Sequence, residues 1–166
     1  MNTGKPPFLR WAGGKRWIAS ALAPALREVL RARYIEPFLG SGAVFFELQP
    51  QISILSDLNK DLIELYKVVR ANPETLEYRL ATIPVNKDIY YSIRAQTPRS
   101  RIERALRFLY LNRTCFGGLH RTNKDGKFNV PYGGGSRTPE PVYREHLLVQ
   151  AAKLLKKDSV KLLSCD

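Results

Sequence analysis

Residues 34–48, YIEPFLGSGAVFFEL, constrain the fold more than any other stretch of the chain. A short apolar strand from Tyr34 to Phe38 runs into a turn made of Gly40, Ser41 and Gly42, and the apolar run AVFFEL then has the length of a short helix. Strand, glycine turn and helix in that order form the layout in which α/β proteins hold ligands at the carboxyl ends of their strands. The turn is too short for a G-x-x-x-x-G-K-[ST] phosphate loop and lacks the third glycine of the dinucleotide fingerprint. Acidic residues flank it instead. Glu36 precedes the turn, and Asp57 stands where the next strand stops, a position from which a carboxylate can accept both hydroxyls of a ribose. Each has a plainer reading, Glu36 as a cap on a neighbouring helix and Asp57 as a helix N-cap. Around one glycine turn, the pair favours a ribose-bearing cofactor that is neutral or cationic over a phosphate.

The flanking segments extend the pattern. Residues 18–33 are Ala/Leu-rich with apolar residues at helical spacing around Leu22, Leu26, Val29 and Leu30, and Pro24 marks the expected start of the regular helix. Pro50 ends the helix after the glycine turn, ISILSDL supplies a second strand, and DLNKDLIELYKVVRAN supplies a second crossover helix. From Pro73 to Asn112 the chain reads as helical and basic; Ser100 and Glu103 form a capping box for a helix whose Ile102, Ala105, Leu106 and Leu109 share a face. Residues 114–138 break the pattern, and Lys124-Asp125-Gly126 predicts a hairpin. A last helix over 140–157 leads to VKLLSCD, a third strand. Alternating strands and helices predict an α/β fold built on a parallel, doubly wound sheet.

Charge narrows the partner. With 27 Lys and Arg against 15 Asp and Glu, the net charge is +12, which points to a polyanion and first of all to nucleic acid. No apolar run approaches the roughly 20 residues of a membrane span, and the N-terminal MNTGKPPFLRWAGGKRW lacks the apolar middle of a secretion signal, so a cytoplasmic location is expected. Cys115, Cys165, His120 and His146 have no metal-ligand spacing, so neither a metal nor a disulfide framework is expected. At 166 residues and 44% hydrophobic, one core with a small insertion is the expected organisation.

Four blocks, PFLRWAGGKRW, YIEPFLGSGAVFFEL, ILSDLNKDLIELY and LNRTCFGGLHRTNKDGKFNVPYG, resemble the Dam-type DNA adenine methyltransferases in the same order and over nearly the whole chain. The resemblance implies a Rossmann-like methyltransferase fold with a partial sheet, residues 1–57 and 145–166, carrying a helical and β-hairpin target-recognition insertion over 58–144. It implies S-adenosylmethionine as cofactor and transfer of its methyl group to the exocyclic amine of adenine in double-stranded DNA, commonly in GATC. Trp11 and Lys15 would then close over the cofactor, with Lys15 near its carboxylate. Glu36, Phe38, Gly40 and Gly42 would line its methionine part, Asp57 would take the ribose hydroxyls, and Asp166 would contact the adenine amino group.

In the hairpin block the resemblance assigns Arg121 to a guanine edge, Leu119 and Pro131 to apolar contact near a thymine methyl, and Phe116 to a wedge beside the displaced base. Arg113, Lys124 and Lys127 belong to the same basic and aromatic block, of a kind suited to phosphates and unstacked bases. Phe128 and Tyr132 also have a plainer role as packing within the hairpin, Arg113 as the partner of an acid in the core, and Cys115 as a small buried residue. Gly117 departs from the family, which often has asparagine there, and this bears on the exact target site.

The family's Asp-Pro-Pro-Tyr segment, whose acceptors direct the amine lone pair at the methyl group, is absent from the sequence. No methyl-acceptor contact can be named, and the chain alone is expected to be inactive. The Tyr34 strand would lie at an open sheet edge, to be covered by a complementary C-terminal fragment or a second copy; the alternative is that the chain is a shortened form of a longer enzyme. The rival reading is a catalytically inactive DNA-binding module.

Overall fold

Three short strands, β1 (Tyr34–Glu36), β2 (Ser53–Ser56) and β3 (Val160–Leu163), pair in parallel in the order β1-β2-β3. Ile35 faces Ile54, which faces Lys161 across the register. The computed structural model describes residues 7–156 and 158–165; Asp166, expected to contact the adenine amine, lies outside the described residues. Parallel strands need crossovers, and here these are helical. Helix α2 (Ala43–Leu48) links β1 to β2, while α3 (Lys60–Ala71) opens a long helical excursion between β2 and β3. The excursion runs through α4 (Pro73–Ala81), α5 (Lys87–Ala95), α6 (Arg101–Thr114), α7 (Glu140–Arg144) and α8 (Leu147–Leu155). The result is a mixed α/β fold with a small parallel sheet.

Burial follows the strand period of two. Glu36, Leu55, Val160 and Leu162 are buried, whereas Ile35, Lys161 and Leu163 are exposed. β1 is one of the two edge strands, as expected, and its outward Ile35 is 56% exposed. The main core joins sheet and helices in one cluster that includes Phe8, Phe45, Leu55, Tyr66, Leu109 and Leu148. A smaller cluster of Ala19, Ala43 and Val44 seats α1 (Arg16–Val29) on α2.

Two helices differ from the pattern expected of the sequence. Pro24 lies inside α1 and does not start it. A proline there leaves the carbonyl of Ser20 without its amide partner, but both residues are exposed, so water can satisfy that carbonyl. The single helix expected over 140–157 is two, α7 and α8, broken at His146, whose φ of +50° is left-handed. The cause lies far away in sequence. The buried carboxylate of Glu77 in α4 accepts from Leu148 N at 2.8 Å and Val149 N at 3.3 Å, and lies 3.0 Å from His146 Nδ1. It thereby caps α8 from another helix.

Other local expectations hold with shorter bounds. Ser100 Oγ accepts from Glu103 N at 3.1 Å and caps α6, although the Glu103 carboxylate pairs with Arg79 at 2.6 Å. The predicted hairpin is present as a tight loop. Asn129 N donates to Arg121 O at 3.0 Å, Asn123 N to Lys127 O at 2.9 Å, and Thr122 bridges Phe128 antiparallel.

Candidate cofactor pocket and nucleic-acid interface

The carboxyl end of β1 opens onto a cavity of about 300 Å³ walled by Trp11, Lys15, Phe38, Gly40, Ser41 and Asp57, with Ala12 to Gly14, Leu39 and Ala43 completing it. The glycine turn has a geometric reason. Gly40 has a φ of +51°, and a Cβ there would sit 2.7 Å from Trp11 Cδ1, so the bare backbone lets the indole close over the turn. Gly42 begins α2 at a φ of +65°, where a Cβ would meet Phe46 and the Tyr66 hydroxyl. Tyr66 OH in turn donates to Gly40 O at 3.0 Å.

Asp57 holds the turn from the far side. Its Oδ2 accepts from Gly40 N at 2.9 Å and its Oδ1 from Asn59 N at 3.0 Å. The N-cap of α3 is Asn59, whose Oδ1 accepts from Leu62 N, so the plainer reading of Asp57 as that cap does not hold. A partly exposed carboxylate on the cavity wall keeps lone pairs for a ligand's hydroxyls.

Glu36, 5% exposed, and Gly42, also buried, lie behind the wall. Tyr34 OH donates to Glu36 Oε2 at 2.9 Å, and Lys15 Nζ lies 3.6 Å from Oε1, which makes no hydrogen bond. Burial raises the Glu36 pKa; Tyr34, Lys15 and the Phe45 amide in the first turn of α2 pull it back. Lys15 also points at Phe38 O at 3.5 Å. Phe38 is 81% exposed at the mouth of the cavity.

The structure thus brings Trp11, Lys15, Phe38, Gly40 and Asp57 together around one cavity, with Glu36 and Gly42 directly supporting it. The sequence reasoning missed Ser41, Tyr66 and Asn59. A Tyr at position 66 reads as one more core residue on an amphipathic helix, and only its hydroxyl bond to the turn sets it apart.

The second constellation is the loop after α6. Phe116 (61% exposed), Leu119, Arg121, Lys124, Lys127 and Pro131 all lie on the surface. Gly117 adopts a φ of +65°, left-handed backbone that asparagine tolerates best after glycine. Arg121 is held within the loop, its Nε donating to Asn129 Oδ1 at 2.8 Å. Asn123 Oδ1 accepts from Asp125 N and Lys127 N and closes the tip.

Arg113 departs from this set, being 6% exposed, with Nη1 donating to Phe8 O at 3.4 Å. Burial, with Arg10 and Arg16 nearby, pushes its pKa down to about 10. It is an interior residue and not part of the exposed loop surface, and its hydrogen bond is to a backbone carbonyl and not to the acid expected. Phe128 and Tyr132 pack inward, against His120 at 5.7 Å and Tyr90 at 5.4 Å between ring centres. Cys115 is buried and free.

Residues 11–166 match the family model for D12 class N6 adenine-specific DNA methyltransferases. The chain belongs to this family. It is 38% identical to the type II methyltransferase M.MjaIII of Methanocaldococcus jannaschii, over 96% of this chain and 62% of that protein. It is 37% identical to the type II methyltransferase M1.LlaDCHI of Lactococcus lactis subsp. cremoris, over 96% of this chain and 58% of that protein. It is also 36% identical to the DNA adenine methylase of Escherichia coli, over 88% and 53%. The chain therefore spans about half to three fifths of the length of these D12 relatives. Among the described residues, no helix is long and apolar enough to cross a membrane and no cluster of metal ligands occurs.

Proposed function

We propose that this chain carries the methyl-donor pocket and the base-reading element of a Rossmann-like, S-adenosylmethionine-dependent DNA adenine methyltransferase acting in the cytoplasm on GATC or a related short site. The observation that carries the reading is the pocket at the Gly40–Gly42 turn, which offers bare peptide and a carboxylate at Asp57, with the buried Glu36 carboxylate behind Lys15, in place of a phosphate cradle. Such a donor set suits a cofactor that carries hydroxyls and positive charge, and membership of the D12 family supports the same choice. S-adenosylmethionine, when bound, supplies an electrophilic methyl on a sulfonium.

The chain's own residues then divide the work. Asp57 accepts the ribose hydroxyls, Lys15 at the rim faces the cofactor's carboxylate, and Trp11 and Phe38 close the mouth and exclude water. Glu36 is the buried negative charge behind Lys15. Residues 58–144 form the recognition subdomain between core segments 1–57 and 145–166. Arg121 presents a guanidinium to a guanine edge, worth roughly 1–3 kcal/mol of discrimination. Leu119 and Pro131 contact a thymine methyl, Phe116 wedges beside the displaced base, and Lys124 and Lys127 meet phosphates. Asp166 faces the adenine amine in the same proposal. Further polypeptide, a complementary C-terminal segment or a second copy, covers the β1 edge where Ile35 is exposed.

A second reading, a DNA-binding module without activity, is favoured by one observation: the exposed basic loop of Arg121, Lys124 and Lys127 would by itself suit DNA. Measuring methyl incorporation into GATC duplex, by the chain alone and with a C-terminal segment that bears Asp-Pro-Pro-Tyr, separates the two. Transfer that appears with the segment supports the methyltransferase. DNA affinity without transfer in either case supports the module.

A further inference from the structure

Three aromatic rings join the cavity to the base-reading loop. Trp11, which closes over Gly40, has its ring centre 5.6 Å from that of His120 with the planes 23° apart. His120 lies 5.2 Å from Phe108 of α6 at 21°, and Trp11 and Phe108 are 6.4 Å apart at 10°. A polar link runs beside the rings. Asn59 N donates to Asp57 on the cavity wall at 3.0 Å, and Asn59 Nδ2 is 3.4 Å from His120 Nδ1. The amide cannot turn over freely, because its Oδ1 is occupied by Leu62 N at 3.0 Å. Nδ2 can only donate, so a hydrogen bond there makes His120 Nδ1 the acceptor and calls for the tautomer with its proton on Nε2. Two cavity residues, Trp11 directly and Asp57 through Asn59, thus converge on His120, and the next residue in the chain is Arg121.

We propose that His120 is a positioning residue that couples the donor cavity to the DNA-reading loop: a ligand seated against Trp11 and Asp57 steadies His120, and His120 sets the stretch 119–122 that presents Arg121. The inference rests on the cofactor and DNA roles proposed above. A small cavity of about 60 Å³ beside the ring, bounded in part by Asp61, Arg107, Leu119 and Thr122, leaves the stack room to shift. Protonation would set a donor against the Asn59 amide. The charges facing the ring are Asp57 at the end of β2, Asp61 on α3 and Arg107 on α6. The two carboxylates favour the protonated form, but burial outweighs them and holds the His120 pKa below its ordinary 6.5.

The test is calorimetric titration of the full chain with S-adenosylhomocysteine, in the presence and absence of GATC duplex and of a scrambled duplex. Wild type, His120→Phe and His120→Ala are compared. In wild type at pH 7.5, nucleoside and GATC duplex should each tighten the other by about tenfold, by reciprocity. The factor should fall to near one in His120→Ala and to an intermediate value in His120→Phe, which keeps the stack without the acceptor. All three proteins should bind scrambled duplex alike. Lowering the pH through the depressed His120 value, which lies below 6.5, should shrink the wild-type factor and leave that of His120→Phe flat. A wild-type factor retained by His120→Ala, or a factor of one in wild type, overturns the coupling while leaving pocket and loop intact. A wild type that binds neither ligand overturns the functional reading, and the coupling with it.

Discussion

Replacing Gly40 with alanine tests the pocket wall most sharply, because two distinct penalties can be separated. The first is backbone strain at a φ of +51°, about 1–2 kcal/mol for an L-residue in left-handed conformation. The second is steric: the new Cβ would lie 2.7 Å from Trp11 Cδ1 and 3.1 Å from Nε1, so the indole must retreat by about 0.7 Å to reach ordinary contact. Overpacking of that kind costs about 1–3 kcal/mol. Gly126 at the hairpin tip supplies the control, with a φ of +74° and nothing within 4 Å of a built Cβ, so Gly126→Ala carries strain alone. Gly40→Ala should lose about 2–5 kcal/mol in urea unfolding against about 1–2 for Gly126→Ala. In a Trp11→Ala background the Gly40 penalty should shrink to the strain part, a coupling that a double-mutant cycle reads directly. Equal costs at Gly40 and Gly126, or a Gly40 cost untouched by removing Trp11, would refute the packing argument.

Other substitutions probe separate parts of the account. Asp57→Ala should abolish S-adenosylhomocysteine binding and also loosen the turn, since Gly40 N and Asn59 N lose their acceptor; unchanged affinity by calorimetry removes Asp57 from the ribose site. Arg121→Ala should relax preference at one base position more than it weakens binding to random duplex, and a uniform loss reassigns it to phosphate. Arg113→Met should leave DNA affinity unchanged and stability equal or higher, because a buried, poorly paired charge gives way to an apolar side chain of similar length. For Glu36 the folded-state pKa is raised above 4.5, so the native state binds the extra proton. Its contribution is fully present below 4.5 and is lost as pH rises through the raised value. Glu36→Gln should remove that part of the pH dependence of urea unfolding.

The strand, turn and helix around Gly40 were legible because each is local: apolar run, glycines that need left-handed backbone, and a helix bounded by Pro50. The hairpin tip was legible for the same reason, since Asn123 and Gly126 close it within five residues. What escaped is decided by distant partners. Nothing near residue 146 signals a helix break, which follows from a carboxylate on α4 that reaches the amides of Leu148 and Val149. Pro24 signalled a helix start that solvent made unnecessary. Arg113 read as a DNA contact because an arginine in a basic block looks alike whether it points outward or, as here, toward Phe8 O. The ring stack of Trp11, His120 and Phe108 combines three segments and has no signature in any of them.

The central claim is that the cavity beside Gly40 was shaped for a nucleoside carrying a positive or neutral tail, not for a phosphate chain. Competitive calorimetry with S-adenosylmethionine, ATP and NAD on the wild-type chain decides it. The account predicts saturable binding of S-adenosylmethionine that Asp57→Ala removes and that neither phosphate compound displaces. Displacement by ATP or NAD, or their tighter binding at the same site, would contradict it.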